Sequence, residues 1–279
     1  MSVVLEKAQS LTYPVVKWAG GKRQLIFELL QNLPENYNRY FEPFIGGGAL
    51  FFELQPENAY ISDVNEELIN LYRVIQNDVE TLIEELAKHQ VNKEYFLEIR
   101  EIDRTPAYKK WTNVQKASRF IYMNRTCFNG LYRVNSQGQF NVPFGNYSNP
   151  RIIDENNLYN CSDLLKNTQI ECKSFTATLD EVKKGDFVYF DPPYAPLNET
   201  SNFTSYTKEG FDGNMQIQLK EVCDELNSKG VYFLLSNSDI ENVHKLYSEY
   251  TIKKVFASRQ INANASGRGK ITEVLVRNY

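Results

Sequence analysis

A strand-like run at residues 186–190, apolar after Asp186, is followed by the tetrapeptide Asp191-Pro192-Pro193-Tyr194. Two consecutive prolines fix their φ angles and remove two backbone donors, so the chain leaves the strand in a stiff turn. The Asp191 carboxylate and the Pro192 carbonyl then become two acceptors with a fixed separation. Turns also favour such residues for purely structural reasons. The tetrapeptide alone therefore leaves a structural and a chemical interpretation open.

The chemical interpretation is that this turn binds a planar base that carries an amino group. Two acceptors can bind both N–H groups of an exocyclic amine, and Tyr194 offers a face on which the base stacks. Such binding holds the nitrogen lone pair out of conjugation with the ring. The arrangement therefore suits methylation of an amino nitrogen.

A second motif lies upstream, where residues 40–52 combine a short strand, the turn Gly46-Gly47-Gly48 and the start of an apolar helix. Glycines let the backbone approach a ligand where a Cβ would clash. The spacing is neither the dinucleotide fingerprint nor a Walker loop. The next strand-like run, residues 59–63, ends in Asp63, and an acid at that place can bind ribose hydroxyls. Together these features predict a site for a nucleoside-like ligand.

With these motifs, the sequence resembles the Dam-type DNA adenine-N6 methyltransferases of the D12 class, in the α arrangement. The resemblance runs over nearly the whole chain. It is carried, in the family's order, by residues 17–22, residues 41–48, Asp63, residues 128–135 with 140–145, and residues 191–194.

The resemblance implies an α/β fold, with a Rossmann-like methyltransferase sheet and an inserted target-recognition domain of helices and a β-hairpin. The expected catalytic domain is residues 1–71 and 171–279, and the expected recognition domain is residues 72–170. Apolar residues at helical spacing between residues 68 and 123 agree with this division. A hairpin is expected at residues 131–144.

The implied activity is methyl transfer from S-adenosyl-L-methionine (AdoMet) to N6 of adenine in duplex DNA, within GATC, after the base is flipped out of the stack. The catalytic residues would be Asp191, Pro192, Pro193 and Tyr194. The cofactor would lie beside Trp18, Ala19, Gly20, Gly21, Lys22, Glu42, Pro43, Phe44, Gly46, Gly48, Asp63, Phe175 and Asp191.

The implied DNA-binding residues are Lys17, Asn129, Leu131, Arg133, Asn135, Pro143, Tyr147 and Arg268. Arg133 is the best candidate for a bidentate contact to guanine. Leu131 and Arg133 are two apart in an expected strand and should face the same side. The formal net charge is −4, so any surface that attracts DNA must be local.

Two alternatives stay open. An N4-cytosine methyltransferase uses the same amine chemistry, although Asp191 rather than serine favours adenine. A catalytically silent DNA-binding module would keep the fold, but the intact Asp191, Pro192 and Tyr194 disfavour it. C5-cytosine methylation is disfavoured because it needs a nucleophilic cysteine, and the chain has no Pro-Cys dipeptide.

Composition agrees with this interpretation. Four widely spaced cysteines and two histidines argue against a zinc site and against a disulfide scaffold. The chain shows no signal-peptide pattern and no apolar run of transmembrane length, so a cytoplasmic enzyme is expected. The expected partner is double-stranded DNA. Whether a cognate restriction endonuclease acts on the same site is left open.

Overall fold

A computed structural model describes residues 12–194, 213–258 and 270–279 of the chain. Within these ranges the chain forms a seven-stranded sheet of order β3-β2-β1-β4-β5-β7-β6. Its strands are β1 (Tyr40–Glu42), β2 (Ala59–Asp63), β3 (Thr168–Cys172), β4 (Phe187–Phe190), β5 (Tyr232–Ser238), β6 (Thr251–Ser258) and β7 (Lys270–Arg277). Strands β1 to β5 are parallel, whereas β7 runs antiparallel to both β5 and β6.

The helices cover the sheet and form the region between β2 and β3. They are α1 (Ile26–Leu30), α2 (Ala49–Leu54), α3 (Glu66–Asn77), α4 (Val79–Leu86), α5 (Lys93–Glu101), α6 (Asn113–Thr126), α7 (Glu155–Leu165), α8 (Thr178–Glu181), α9 (Gly213–Ser228) and α10 (Glu241–Leu246). Asn65 caps the start of helix α3, because its side chain accepts the Leu68 N–H at 3.0 Å, as a helix N-cap does. None of the described helices has the length and apolarity that a membrane span requires.

Strand β4 is buried along its whole length, as expected for a central strand covered on both faces. Phe187 and Tyr189 pack into one apolar cluster, which also contains the buried face of α3. Val188 and Phe190 pack into a second cluster, which contains the buried residues of α9. The sheet thus has an apolar layer on each face, and the predicted Rossmann-like α/β class is confirmed.

The region from 72 to 170 has a third apolar cluster of its own, which joins α5 and α6 to Phe140 and Val142. The expected hairpin is held by isolated bridges, Cys127 to Phe144 and Val134 to Phe140. Helix α3 crosses the expected boundary at residue 71, and β3 begins at Thr168, within the sheet. The division at 72 and 170 stays a prediction.

A buried ion pair ties the hairpin to helix α6. Arg119 Nη2 lies 2.7 Å from Asp103 Oδ2, and the two side chains are 5% and 8% exposed. The same Asp103 oxygen accepts the backbone N–H of Phe140 at 2.8 Å. Loss of Asp103 would therefore leave a buried guanidinium without its carboxylate and a backbone donor without an acceptor.

We therefore expect Asp103→Ala to lower the free energy of unfolding by about 3–5 kcal/mol, as when one partner of a buried ion pair is removed. Urea denaturation followed by circular dichroism measures this change. Glu101→Ala is the matched control, because Glu101 is 48% exposed and pairs with Arg100 and Arg104 at the surface. Its cost should be at most about 1 kcal/mol. Equal costs for the two variants would contradict the structural role of Asp103.

Candidate active site

Three acidic residues come together at the carboxyl edge of the parallel strands. Glu42 ends β1, Asp63 ends β2, and Asp191 follows the last residue of β4. The strand order reverses between β1 and β4, which are neighbours in the sheet. Ligands of open α/β sheets bind in the crevice at such a point. The crevice beside β1 and β4 is therefore the candidate active site.

Asp191 forms an ion pair inside this crevice. The Nζ of Lys22 lies 2.8 Å from Asp191 Oδ1, and the side chains are 5% and 20% exposed. Lys22 Nζ also donates to the Gly20 carbonyl at 2.7 Å. Burial raises the pKa of Asp191 to about 6, although the charge and hydrogen bond of Lys22 act in the opposite direction. The first and the last predicted motifs are thus in direct contact.

Tyr194 completes this arrangement after the buried Pro192 and the half-buried Pro193. Lys22 Nζ lies 4.5 Å from the centroid of the Tyr194 ring. The Tyr194 hydroxyl donates to the Glu273 carboxylate. Burial, followed by the charges of Asp191 and Glu273, raises the pKa of Tyr194 well above its usual value, so the phenol stays protonated as a donor.

The glycine turn adopts backbone angles that favour glycine, with φ of +45° at Gly46 and +69° at Gly48. Its close neighbour is Trp18. A Cβ added to Gly46 would lie 2.7 Å from Trp18 Cδ1, and one added to Gly47 would lie 3.1 Å from Trp18 Cβ. The first distance requires the indole to shift, and the second requires Trp18 to give way by a few tenths of an ångström. These two glycines are therefore needed for the packing of Trp18, a reason that the sequence does not reveal.

Asp63 is bound to the glycine turn through its carboxylate. Oδ2 accepts the Gly46 N–H at 3.2 Å, and Oδ1 accepts the Asn65 N–H at 3.0 Å. Burial raises the pKa of Asp63 to about 6, while these backbone hydrogen bonds lower it. A carboxylate has about four lone-pair positions. Asp63 therefore keeps acceptor capacity for a further ligand.

The other predicted cofactor residues lie around these groups. Glu42 is buried and accepts the Tyr40 hydroxyl at 2.7 Å, and burial raises its pKa well above the usual range. Phe44 stacks on Phe175 with ring centroids 5.2 Å apart. Phe175 is only 2% exposed, so Phe44 presents the more accessible ring of the two. Pro43 borders a depression that Ser62 and Ser174 also line.

The residues between Trp18 and Lys22 form a tight turn. The Gly21 N–H donates to the Trp18 carbonyl at 3.1 Å, and Gly20 has a φ of +78°. Ala19 is half-buried in this turn. The turn presents Lys22 to Asp191.

Three of the predicted DNA-binding residues form an exposed cluster beside this turn. Lys17 Nζ lies 5.8 Å from the centroid of the Tyr147 ring, and the Tyr147 hydroxyl accepts the Asn129 N–H at 3.0 Å. Buried Asn124 ties this cluster to α6, because it exchanges hydrogen bonds of 2.8 Å with the Lys17 backbone in both directions.

The other candidates lie along the hairpin. Arg133 is exposed, and its Nε donates to Asn141 Oδ1 at 2.7 Å. Pro143 is exposed, whereas Leu131 is half-buried against the third apolar cluster. Asn135 Oδ1 accepts the N–H groups of Gln137 and Gln139, both at 3.0 Å, so this side chain closes the hairpin turn. Arg268 lies outside the described residues.

Tyr132 joins the hairpin to Trp18, a contact that the sequence did not predict. Its ring stacks on Trp18 with centroids 5.4 Å apart and on Phe120 with centroids 4.8 Å apart. The segment that carries Arg133 therefore packs directly on Trp18.

Groups of three or more metal-binding side chains placed to hold an ion do not occur in the described part of the chain. Its four cysteines are free thiols.

The similarity of the chain to known proteins agrees with this geometry. Residues 18–261 match the model of the D12 class N6 adenine-specific DNA methyltransferases. The type II methyltransferase M1.LlaDCHI of Lactococcus lactis subsp. cremoris is 50% identical over 280 residues, which cover 99% of each chain. The type II methyltransferase M.MjaIII of Methanocaldococcus jannaschii is 44% identical over 286 residues, which cover 95% of this chain and 99% of the relative. The DNA adenine methylase of Vibrio cholerae is 34% identical over 265 residues, which cover 93% of this chain and 94% of the relative.

The match to the family model spans most of the chain, and these relatives align over nearly their whole lengths. The protein is therefore an enzyme that methylates DNA at N6 of adenine, and the chain belongs to the family of D12 class N6 adenine-specific DNA methyltransferases.

Proposed function

We propose that this enzyme transfers methyl from AdoMet to N6 of adenine within GATC, after the adenine has been flipped out of the duplex. The observation that carries the proposal is the ammonium group of Lys22. It lies against the Asp191 carboxylate and over the Tyr194 ring. The Lys22 nitrogen, which carries N–H donors, therefore occupies the place that the amino group of a flipped adenine would take, between the Asp191 acceptor and the Tyr194 ring. The base amine would replace this ammonium group on entry.

The residues of the crevice fit AdoMet as the methyl donor. Asp63 ends β2 beside the glycine turn and keeps acceptor capacity for two ribose hydroxyls. The accessible ring of Phe44 and the depression beside Pro43 offer an apolar border for the adenine ring of the donor. The backbone from Glu42 to Gly48 would lie beneath the methionine part. When bound, AdoMet supplies a methyl group on a sulfonium centre.

The protein's own contribution is to position the amine. Asp191 and the Pro192 carbonyl would each accept one N–H of the amino group, which turns the nitrogen lone pair away from the base ring. Tyr194 would hold the plane of the base by stacking, a contact worth about 1–3 kcal/mol. Positioning of this kind lowers the barrier without strong acid–base catalysis. The surplus proton on the methylated nitrogen would leave to water.

Base flipping is part of the proposal because the Asp191 side chain is only 20% exposed. An adenine that stays stacked in a duplex cannot bring N6 to such a place. The exposed cluster of Lys17, Asn129 and Tyr147 lies beside the turn that presents Lys22. It could therefore contact the duplex while the target base enters the crevice.

We assign recognition of the DNA target sequence to the hairpin, in which Arg133 would bind guanine in the major groove. Its guanidinium is exposed and tied to the neutral Asn141 rather than to an acid, so its charge is available to DNA. Exposed Pro143 and half-buried Leu131 would contact the thymine methyl group. Lys17 and Tyr147 are assigned to the outer guanine.

We expect Arg133→Ala to relax discrimination at one base pair of the site by about 1–3 kcal/mol. Methylation rates on GATC duplexes and on their single-base variants measure this effect. Arg133→Lys is the matched control, since it keeps the charge but loses the bidentate guanidinium. If Arg133 binds only a phosphate, the lysine variant should resemble the wild type. Arg133→Ala should then weaken binding to all sequences equally and reduce the salt dependence.

The proposed reaction is tested by incubation with tritium-labelled AdoMet and duplex DNA that contains GATC. Label on adenine within GATC is the expected result, and sequencing of modified bases in the same DNA reports base, atom and site. Label on cytosine would support N4 methylation, and no label at all would support a silent DNA-binding module. The Asp191→Ala protein, purified in parallel, controls for a contaminating methyltransferase.

We further propose that the enzyme protects DNA against a restriction endonuclease that acts on the same site. Two relatives at 50% and 44% identity are named type II methyltransferases. DNA from cells that express this chain should resist an endonuclease that cleaves only unmethylated GATC. Full cleavage of DNA that carries the methyl label would contradict this role.

A further inference from the structure

Glu273 lies at the candidate active site because of the direction of its strand. Strand β7 is antiparallel to β5, and Glu273 pairs with Ser238, the last residue of β5. The beginning of an antiparallel strand lies at the edge where the parallel strands end. Glu273 is therefore brought to the same edge as Asp191, although the two residues are far apart in sequence.

We propose that Glu273 is a positioning residue for methyl transfer, because its carboxylate accepts the Tyr194 hydroxyl and thereby fixes the ring on which the target base stacks. The inference rests on the proposed function and deepens it. The Tyr194 hydroxyl is bound to Glu273, while one face of the ring is in contact with Lys22. When a base replaces Lys22 on that face, the hydrogen bond from the Tyr194 hydroxyl to Glu273 remains and holds the plane of the Tyr194 ring.

The charge of Glu273 has a second, measurable effect on the same site. The titratable groups that face Asp191 are Lys22 before α1, Glu42 at the end of β1, Tyr189 on β4, Tyr194 in its own loop and Glu273 on β7. Of these, Lys22 lowers the pKa of Asp191 and Glu273 raises it. Removal of the Glu273 charge should therefore let Asp191 ionise at lower pH.

Two substitutions separate the hydrogen bond from the charge. Glu273→Ala removes both, and we expect kcat on GATC duplexes to fall about 10-fold or more, as for the loss of one hydrogen bond to a charged acceptor. The Kd for AdoMet should stay unchanged. Glu273→Gln keeps an acceptor and loses the charge. It should recover most of the rate at neutral pH, while the acid limb of kcat/KM against pH moves to lower pH.

A double-mutant cycle tests whether Glu273 acts through Tyr194. Tyr194→Phe removes the same hydrogen bond from the other side, so Glu273→Ala should add little further loss in that background. The fluorescence of 2-aminopurine at the target position reports stacking of the flipped base and should change in Glu273→Ala. Glu241→Gln, on α10 and 79% exposed, is the matched control and should leave rate and pH profile unchanged. Thermal unfolding of each variant reports folding.

The outcomes distinguish the inference from the proposed function. If the wild type places no label on adenine in GATC, the proposed function fails. If the wild type is active and Glu273→Ala, folded as the wild type, has the wild-type rate, the inference is overturned. It is also overturned if the losses of Glu273→Ala and Tyr194→Phe add in full, or if Glu273→Gln is as slow as Glu273→Ala.

Discussion

Replacement of Asp191 by alanine is expected to abolish methyl transfer, while binding of GATC duplexes falls much less. In the proposed mechanism, alanine removes the acceptor that holds the amine in the reactive orientation. The loss in kcat should be on the order of 10² to 10³ at least, as when one preorganised polar group is removed from a reaction site. Single-turnover methylation measures the chemical step, and fluorescence anisotropy measures DNA binding. Retention of about a tenth of the wild-type rate would contradict the role of Asp191.

The pH dependence gives a second measurement on the same residue. Because burial raises the pKa of Asp191 to about 6, the carboxylate is ionised above this pH and protonated below it. The wild-type kcat/KM, which reports groups of the free enzyme, should therefore fall as the pH drops below about 6. Asp191→Asn keeps one acceptor oxygen without a titratable group. It should retain some activity and lose the part of the acid limb that Asp191 contributes, while the part from Asp63, whose pKa is also about 6, remains.

Replacement of Asp63 by alanine should weaken AdoMet binding strongly. Two charge-assisted hydrogen bonds to the ribose would be lost, each worth about 1.5–3 kcal/mol. The Kd should therefore rise by a factor on the order of 10² to 10⁴. Isothermal titration calorimetry measures this change, and an unchanged affinity would remove Asp63 from the site.

The control for this variant must account for the structural bonds of Asp63. The carboxylate also accepts the N–H groups of Gly46 and Asn65, so thermal unfolding of Asp63→Ala is needed beside calorimetry. Glu53→Ala changes an exposed acid on α2 and should leave both measurements unchanged. Asp63→Asn keeps one acceptor and should lie between the wild type and Asp63→Ala in affinity.

Local sequence patterns predicted the elements of the fold well. The apolar run before Asp191 forms the buried β4, and the helical spacing between residues 68 and 123 corresponds to α3, α4 and α6. These predictions succeeded because periodic burial is a property of neighbouring residues and can be read from a single segment.

The parts that local patterns missed depend on contacts between distant segments. Glu273 reaches the crevice only because β7 is antiparallel, and its bond to Tyr194 joins residues 79 positions apart. The hairpin was expected to place Leu131 and Arg133 on one side, yet Leu131 is half-buried against a core cluster while Arg133 is exposed. The segment is held by isolated bridges, so the side-chain alternation of a regular strand does not apply there.

The stack of Trp18 on Tyr132 limits how this enzyme can change its target sequence in evolution. If Arg133 reads the target sequence as proposed, a new recognition sequence requires substitutions around it. The side chain before it, Tyr132, supports the indole of Trp18, which covers Gly46 and Gly47. A chimera with a smaller residue at position 132 would leave a void beneath Trp18 and disturb the glycine turn. Residues 18 and 132 should therefore co-vary among relatives, and a transplanted hairpin should work only when it brings a matching ring.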